Sequence, residues 1–208
     1  TMYRLARNSK VVKTLICAAR NGKKVTVVIE LLARFDEESN INWSKQMQDA
    51  GINVVFGMEG LKVHSKLVHI SSRKGDVACI STGNFHEGNA AQYTDVTLFT
   101  ARKRVVQEVG TVFGFIQKPY VPIRFKELLV SPNDMRRRLL ARIDKEIRNA
   151  AAGKPAYIMG KLNHITDRAL VQKLYEASAA GVRIDLLVRG NCSLVTGIPG
   201  RNRNNPCM

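Results

Sequence analysis

The chain has 208 residues, 33 basic against 17 acidic, for a net charge of +16, and 45% of its residues are hydrophobic. That balance supports one or two ordinary cores and excludes an intrinsically disordered chain. No apolar run approaches the roughly 18–20 residues needed to span a bilayer. Residues 1–10 lack the charged-then-apolar order of a secretory signal. The four cysteines (Cys17, Cys79, Cys192, Cys207) form no CxxC pair, which excludes a disulfide scaffold and a zinc ribbon. The expected compartment is therefore the reducing cytoplasm, with peripheral membrane association left open.

In chain order, the first element is a helix of about four turns, with Asn8 as N-cap, apolar residues at helical spacing (Val11, Val12, Leu15, Ile16, Ala19) and Gly22 as its stop. A buried strand, Val25–Ile29, follows. Residues 40–50 read as a helix ended by Gly51, and Ile52–Phe56 as a second strand. Lys66–Ile70 and Asp76–Ser81 read as two strands joined by a polar turn, and 101–117 as a further helix. Pro119 and Pro122 mark a boundary, giving domains 1–118 and 119–208 with net charges of +7 and +9. Arg136, Arg137, Arg138, Arg142, Lys145 and Arg148 look like one helical face, either simply solvated or turned towards a polyanion. With only 6% aromatic residues and no base-stacking motif, nucleic acid is not favoured as that polyanion.

The chain repeats itself. Adding 159 to Asn8–Leu31 lands on Asp167–Gly190 without a gap: Val12 meets Val171, Leu15 meets Leu174, and Gly22 meets Gly181. Each copy reads as Asx cap, amphipathic helix, glycine, strand, the second strand being Ile184–Val188. Helix, glycine and buried strand form half of a βαβ unit, so the expected fold class is α/β: two similar domains with mixed sheets flanked by helices. The second copy has Ala156–Met159 before its helix, where the first shows no strand, and it ends early. The second domain is expected to be truncated and the chain to be a fragment.

Chemistry concentrates in Gly60-Leu-Lys-Val-His64-Ser-Lys66-Leu67 and Ser81-Thr-Gly-Asn84. A histidine and a lysine at i, i+2 on a strand share a face, and Asn84 in a loop one hairpin later can reach the same spot. That set suits phosphoryl chemistry: an imidazole nucleophile, a fixed ammonium and an amide donor. The plainer alternative is a core histidine with Lys66 at a sheet edge.

His-x-Lys with a downstream Gly-x-x-Asn-type loop resembles the half-site of the phospholipase D superfamily. The wider set Tyr3-Arg4-Leu-Ala, Glu30-Leu-Leu-Ala-Arg34-Phe-Asp-Glu-Glu38, Gly60–Leu67, Ser81–Phe85, Tyr93-Thr-Asp95 and Leu187-Val-Arg-Gly190 resembles bacterial polyphosphate kinase of the histidine-phosphorylated type, over residues 3 to about 200. The resemblance implies two phospholipase D-like domains from the C-terminal catalytic part of a longer, oligomeric, cytoplasmic transferase. Its substrates would be ATP (or ADP) and inorganic polyphosphate, with Mg²⁺ as cofactor and no DNA or RNA required. His64 would take the γ-phosphoryl group. Tyr93, Arg189, Lys66 and Asn84 would bind ATP or polyphosphate. Arg4 and Arg34 match a magnesium–phosphate site, where a guanidinium can hold phosphate oxygens but cannot ligate the metal. Without the resemblance, Arg34 reads as an ion-pair residue beside Asp36, Glu37 and Glu38, and Tyr93 as strand packing.

Two departures stand out. Ser71 occupies the place of the superfamily's aspartate, five residues after the lysine, which counts against phosphodiesterase or nuclease chemistry. The family's second histidine has no counterpart, since His164 aligns with Leu5 rather than His64. His69 and His86 read as structural or surface residues. The alternatives are a phosphodiesterase or nuclease, which needs two His-x-Lys half-sites, and a non-enzymatic module binding nucleic acid through the 136–148 face.

Overall fold

Ser9 opens helix α1 (Lys10–Arg20): its hydroxyl accepts the Val12 N–H at 3.3 Å, a cap worth about 1 kcal/mol. The cap is thus one residue later than the expected Asn8, whose side-chain oxygen instead accepts a hydrogen bond from Lys13 Nζ. At the other end Gly22, at φ +75°, donates to Ala19 O, and Lys23 N–H reaches back to Ala18 O. This closure satisfies carbonyls the helix leaves open, and only glycine adopts the required left-handed backbone without strain. The computed structural model describes residues 1–30, 33, 37–58 and 60–197, in two units, Thr1–Leu128 and Leu129–Met208.

In the first unit, strand β1 (Thr26–Ile29), helix α2 (Glu37–Asp49) and strand β2 (Asn53–Phe56) form a βαβ unit, with β1 and β2 parallel and Val27 opposite Val54. Trp43 and Met47, on one face of α2, join Val12 of α1 and Val27, Ile29 and Ile52 in a core that also takes in Met2 and Leu5. Strands β3 (Lys66–Ile70), β4 (Val77–Ser81) and β5 (Thr97–Thr100) form an antiparallel sheet. Helix α3 (Glu87–Gln92) lies between β4 and β5 in sequence, and helix α4 (Lys103–Gln117) packs on β3 and β4. The parallel pair and the antiparallel triplet are separate sheets, where the sequence suggested mixed ones. Residues 1–3 lie between them: Met2 bridges Ile29 in parallel fashion, and Thr1 exchanges hydrogen bonds with the backbone of Leu67. A segment read as having no strand character thus ties β1 to β3.

The first unit extends past the expected boundary at residue 118. The Glu108 carboxylate on α4 accepts the backbone N–H groups of Lys126, Glu127 and Leu128 at 2.7–3.1 Å, and Phe125 is buried. These contacts hold residues 125–128 on the first unit, so the division falls after Leu128.

The second unit contains helix α5 (Met135–Ala151), strand β6 (Tyr157–Leu162), helix α6 (Arg168–Ala179) and strand β7 (Arg183–Val188). Strands β6 and β7 pair in parallel, and α5 packs on α6. The core is Ile165, Leu174, Ala177, Val182, Ile184 and Leu186, with Ile143 and Ile147 of α5 against it. Asp167 caps α6 by accepting the Leu170 N–H at 3.0 Å, and Gly181 repeats the closure seen at Gly22.

The 159-residue offset holds from the helix ends through the strands, but not before them. Arg189 N–H donates to Leu162 O, whereas its counterpart Glu30 donates to Met2 O, an offset of 160. That register sets the buried Leu5 against the buried Ile165 and Arg4 against His164, which corrects the pairing of His164 with Leu5. The caps Ser9 and Asp167 stand 158 apart, so the connection before the cap is two residues shorter in the second unit and helix α6 is one residue longer than α1.

Candidate active site

The site grows from the link between Met2 and β1. Asn40, fully buried on α2, donates to the carbonyls of Tyr3 (2.9 Å) and Glu30 (2.7 Å), and its oxygen accepts the Leu5 N–H at 3.2 Å. One amide thereby fixes Tyr3 and Arg4 beside the end of β1. From that end the buried Glu30 carboxylate accepts the Val63 N–H at 3.1 Å, anchoring the residue before His64.

His64 is not on a strand: it sits in the loop before β3, and Lys66 is the first residue of that strand. Lys66 still reaches back. Its buried Nζ lies 3.1 Å from Nδ1 and 3.2 Å from Nε2 of His64 and donates to the His64 carbonyl at 2.6 Å. The imidazole packs edge-on against the Tyr3 ring, with centroids 4.6 Å apart. The same ring gathers Lys62 Nζ at 4.8 Å, Lys66 Nζ at 5.4 Å and Arg4 Cζ at 5.9 Å. Aromatic faces attract cations, and here one ring collects three.

The electrostatics follow. Partial burial, then Lys66, Lys62 and Arg4, push the His64 pKa down to about 4, so the ring is neutral at pH 7. Burial lowers Lys66 to about 8, although Asp95 opposes the shift. Asp95 is placed by Thr82, whose hydroxyl donates to it at 2.9 Å, and it lies so close to Gly83 that a Cβ there would stand 2.2 Å from its oxygen. Asn84 follows in the same loop, and its Oδ1 is buried with no hydrogen-bond partner among the described residues. An acceptor left so is available to a ligand donor.

A neutral imidazole among fixed cations, with the Asp95 carboxylate acting on Lys66, is an arrangement suited to attack on a phosphorus atom. Residues 1–122 match the family description "Polyphosphate kinase C-terminal domain 1", and residues 128–205 match "Polyphosphate kinase C-terminal domain 2". The chain belongs to the polyphosphate kinase family. It is 51% identical to the polyphosphate kinase of Vibrio parahaemolyticus and 50% identical to that of Escherichia coli K12, over 98% of its own length in each case. The crystal structure of polyphosphate kinase from Porphyromonas gingivalis superposes with a TM-score of 0.84 at 42% identity, covering 99% of this chain and 35% of that one. The chain spans about 30% of the length of the curated polyphosphate kinases it matches.

The other expected site residues are spread more widely. Arg34 lies outside the described residues. Tyr93 ends α3 rather than packing in a strand, is 40% exposed, and stands two residues before Asp95. Arg189 stands exposed in the second unit, one residue past β7. His164, in the same unit, accepts the Asn191 N–H at 2.7 Å. His86 caps α3 by accepting the Asn89 N–H, and His69 lies 3.4 Å from where a Cβ on Gly110 of α4 would be.

Sequence reasoning passed over Tyr3, Glu30, Asn40, Lys62 and Asp95 as site residues. Signals existed for two of them. Lys62, His64 and Lys66 alternate along the chain, and Asn40 shares a helical face with Trp43 and Met47, where a polar side chain needs buried partners.

Among the described residues the donor set around His64 does not fit a protein-held magnesium ion. Among the described residues no group of three or more His, Cys, Asp or Glu side chains converges as a metal site. Around His64 the converging groups are ammonium and guanidinium, which carry no lone pair to offer. No helix among the described residues is long and apolar enough to cross a membrane.

Proposed function

We propose that the chain is the catalytic portion of a polyphosphate kinase in which His64 carries the phosphoryl group between ATP and inorganic polyphosphate. The observation that carries this reading is His64 itself: neutral at pH 7, with Lys66 equidistant from both ring nitrogens and Arg4 nearby. Without substrate, Lys66 donates towards the ring; an arriving phosphate draws the ammonium to its oxygens and frees a ring lone pair. The N–P bond forms as the bond from the γ-phosphorus to the ADP oxygen breaks, and the other ring nitrogen keeps its proton. In the second half a terminal polyphosphate oxygen attacks the same phosphorus and the N–P bond breaks. Apart from the N–P bond made and broken at His64, the protein's work is positioning and charge neutralisation, which Lys66 and Arg4 supply.

In this reading Asn84, Tyr93, Arg34 and Arg189 bind the nucleotide or polymer, and both units are phospholipase D-like domains. Magnesium enters with the nucleotide, held by phosphate oxygens as part of the substrate. The longer protein is a cytoplasmic homo-oligomer. The deciding experiment is incorporation of acid-labile, base-stable phosphate from γ-labelled ATP. The protein is expected to label, and His64→Ala to lose the label while keeping its fold; label retained in that variant refutes the assignment.

A further inference from the structure

Lys62 is exposed, and its four-carbon stem could carry the ammonium into solvent, away from Lys66 and Arg4. Instead it is held 4.8 Å over the Tyr3 ring, closer than either of those cations. Three like charges sharing one ring repel one another, and the ring's negative face offsets only part of that repulsion. The nearby carboxylates are engaged elsewhere: Glu30 accepts the Val63 N–H, and Asp95 is hydrogen-bonded to Thr82. Among the described residues no carboxylate lies within ion-pair distance of Lys62. The spot beside His64 is therefore rich in positive charge and open to solvent, as an incoming polyanion requires.

Lys66 is buried and Lys62 exposed, so the two ammonium groups face an entering chain at different depths. Lys66 and Arg4 account for one phosphoryl group at the nucleophile. We propose that Lys62, positioned by Tyr3, is a phosphate-binding residue that grips the group next to the one being transferred, so that the site recognises an oligophosphate chain rather than a single phosphate. This inference rests on the phosphoryl-transfer reading for its context, but its test needs no turnover.

Binding of inorganic tripolyphosphate is measured calorimetrically on the protein and on its Lys62→Gln, Lys62→Arg and Tyr3→Phe variants. Lys62→Gln is expected to weaken binding about tenfold with an unchanged melting temperature, as loss of one charge-assisted contact implies. Lys62→Arg should bind within about threefold of the parent, since it keeps the charge, and Tyr3→Phe should also hold because the ring face remains. Steady-state rates then identify the source of the chain. A raised KM for ATP alone assigns the neighbouring group to the nucleotide, and a raised KM for polyphosphate alone assigns it to the polymer. Lys62→Gln binding tripolyphosphate within about twofold of the parent overturns the inference. Retained labelling in His64→Ala would instead sink the phosphohistidine assignment and leave this binding result standing.

Discussion

The two units carry the same helix–glycine–strand module and use it differently. In the first, the strand ends in buried Glu30, and the segment beside it is fastened by the Asn40 side chain, which serves three backbone groups. In the second, the strand runs on to exposed Arg189, and the matching segment is fastened by backbone and one ring: Ile165 N–H donates to Asn191 O, Ser193 N–H to Ile165 O, and Asn191 N–H to His164 Nδ1. The module is thus a scaffold, and chemistry depends on what is joined to it. Among the described residues only the first copy ties into an antiparallel hairpin, and that junction gathers Tyr3, His64, Lys62 and Lys66. The shared helix endings preserve the scaffold; the side chain on α2 and the hairpin make the site.

The sharpest way to break this comparison is to truncate the asparagine side chain at each fastening. Asn40→Ala should lower unfolding free energy by about 3 kcal/mol, since it strands three buried backbone groups. Asn191→Ala should stay within about 0.5 kcal/mol, because only its backbone is used. Urea denaturation of both variants decides, and a loss below about 1 kcal/mol for Asn40→Ala would remove the contrast.

A second test follows the charge gathered at the first copy. In the folded protein His64 should titrate near pH 4 rather than 6.5, read from its ring proton signal. Between those values the unfolded chain holds a proton that the folded chain lacks. This group's contribution to stability therefore rises as pH rises through the window and is lost as pH falls through it. The rate of histidine phosphorylation should fall above about pH 8, where Lys66 loses its charge. A His64 midpoint at 6.5 would mean that neither partial burial nor the neighbouring cations act on the ring.

The smallest effect probes what the copies share. Gly22 and Gly181 have φ of +75° and +88°, and a Cβ at either meets nothing within 4 Å. Each alanine substitution should cost about 1 kcal/mol, from backbone conformation alone. Unequal costs in thermal denaturation would show that the two helix endings are not equivalent.

Much of the scaffold was legible. Periodicity and the glycines placed α1, β1, α2, β2, α6 and β7 to within a few residues, because each helix stops at a left-handed glycine and a short apolar strand follows it. Helix α3 and strand β5 were not legible: α3 is a six-residue helix with no buried residue, and β5 buries none either, so neither leaves an apolar pattern. The cap at Ser9 was displaced by one because Asn8 and Ser9 are both competent caps, and only the reach to Val12 N–H chooses between them. His164 was paired one residue off because the connections before the two caps differ in length, which a gapless offset cannot reveal.

The same division runs through the site. The amino-acid sequence alone determined that a histidine and a lysine stand two apart near an Asn-bearing loop, in a basic chain built on a repeat, because residue types and short spacings are local properties. Tertiary structure decided the rest: that Tyr3, more than sixty residues away in sequence, forms the ring on which the cations meet, that Glu30 and Asn40 hold the loop and the segment facing it, and that His64 is thereby kept neutral. Those outcomes depend on burial and on distances between distant segments, and the low dielectric and fixed geometry that shift a pKa exist only once the chain has folded.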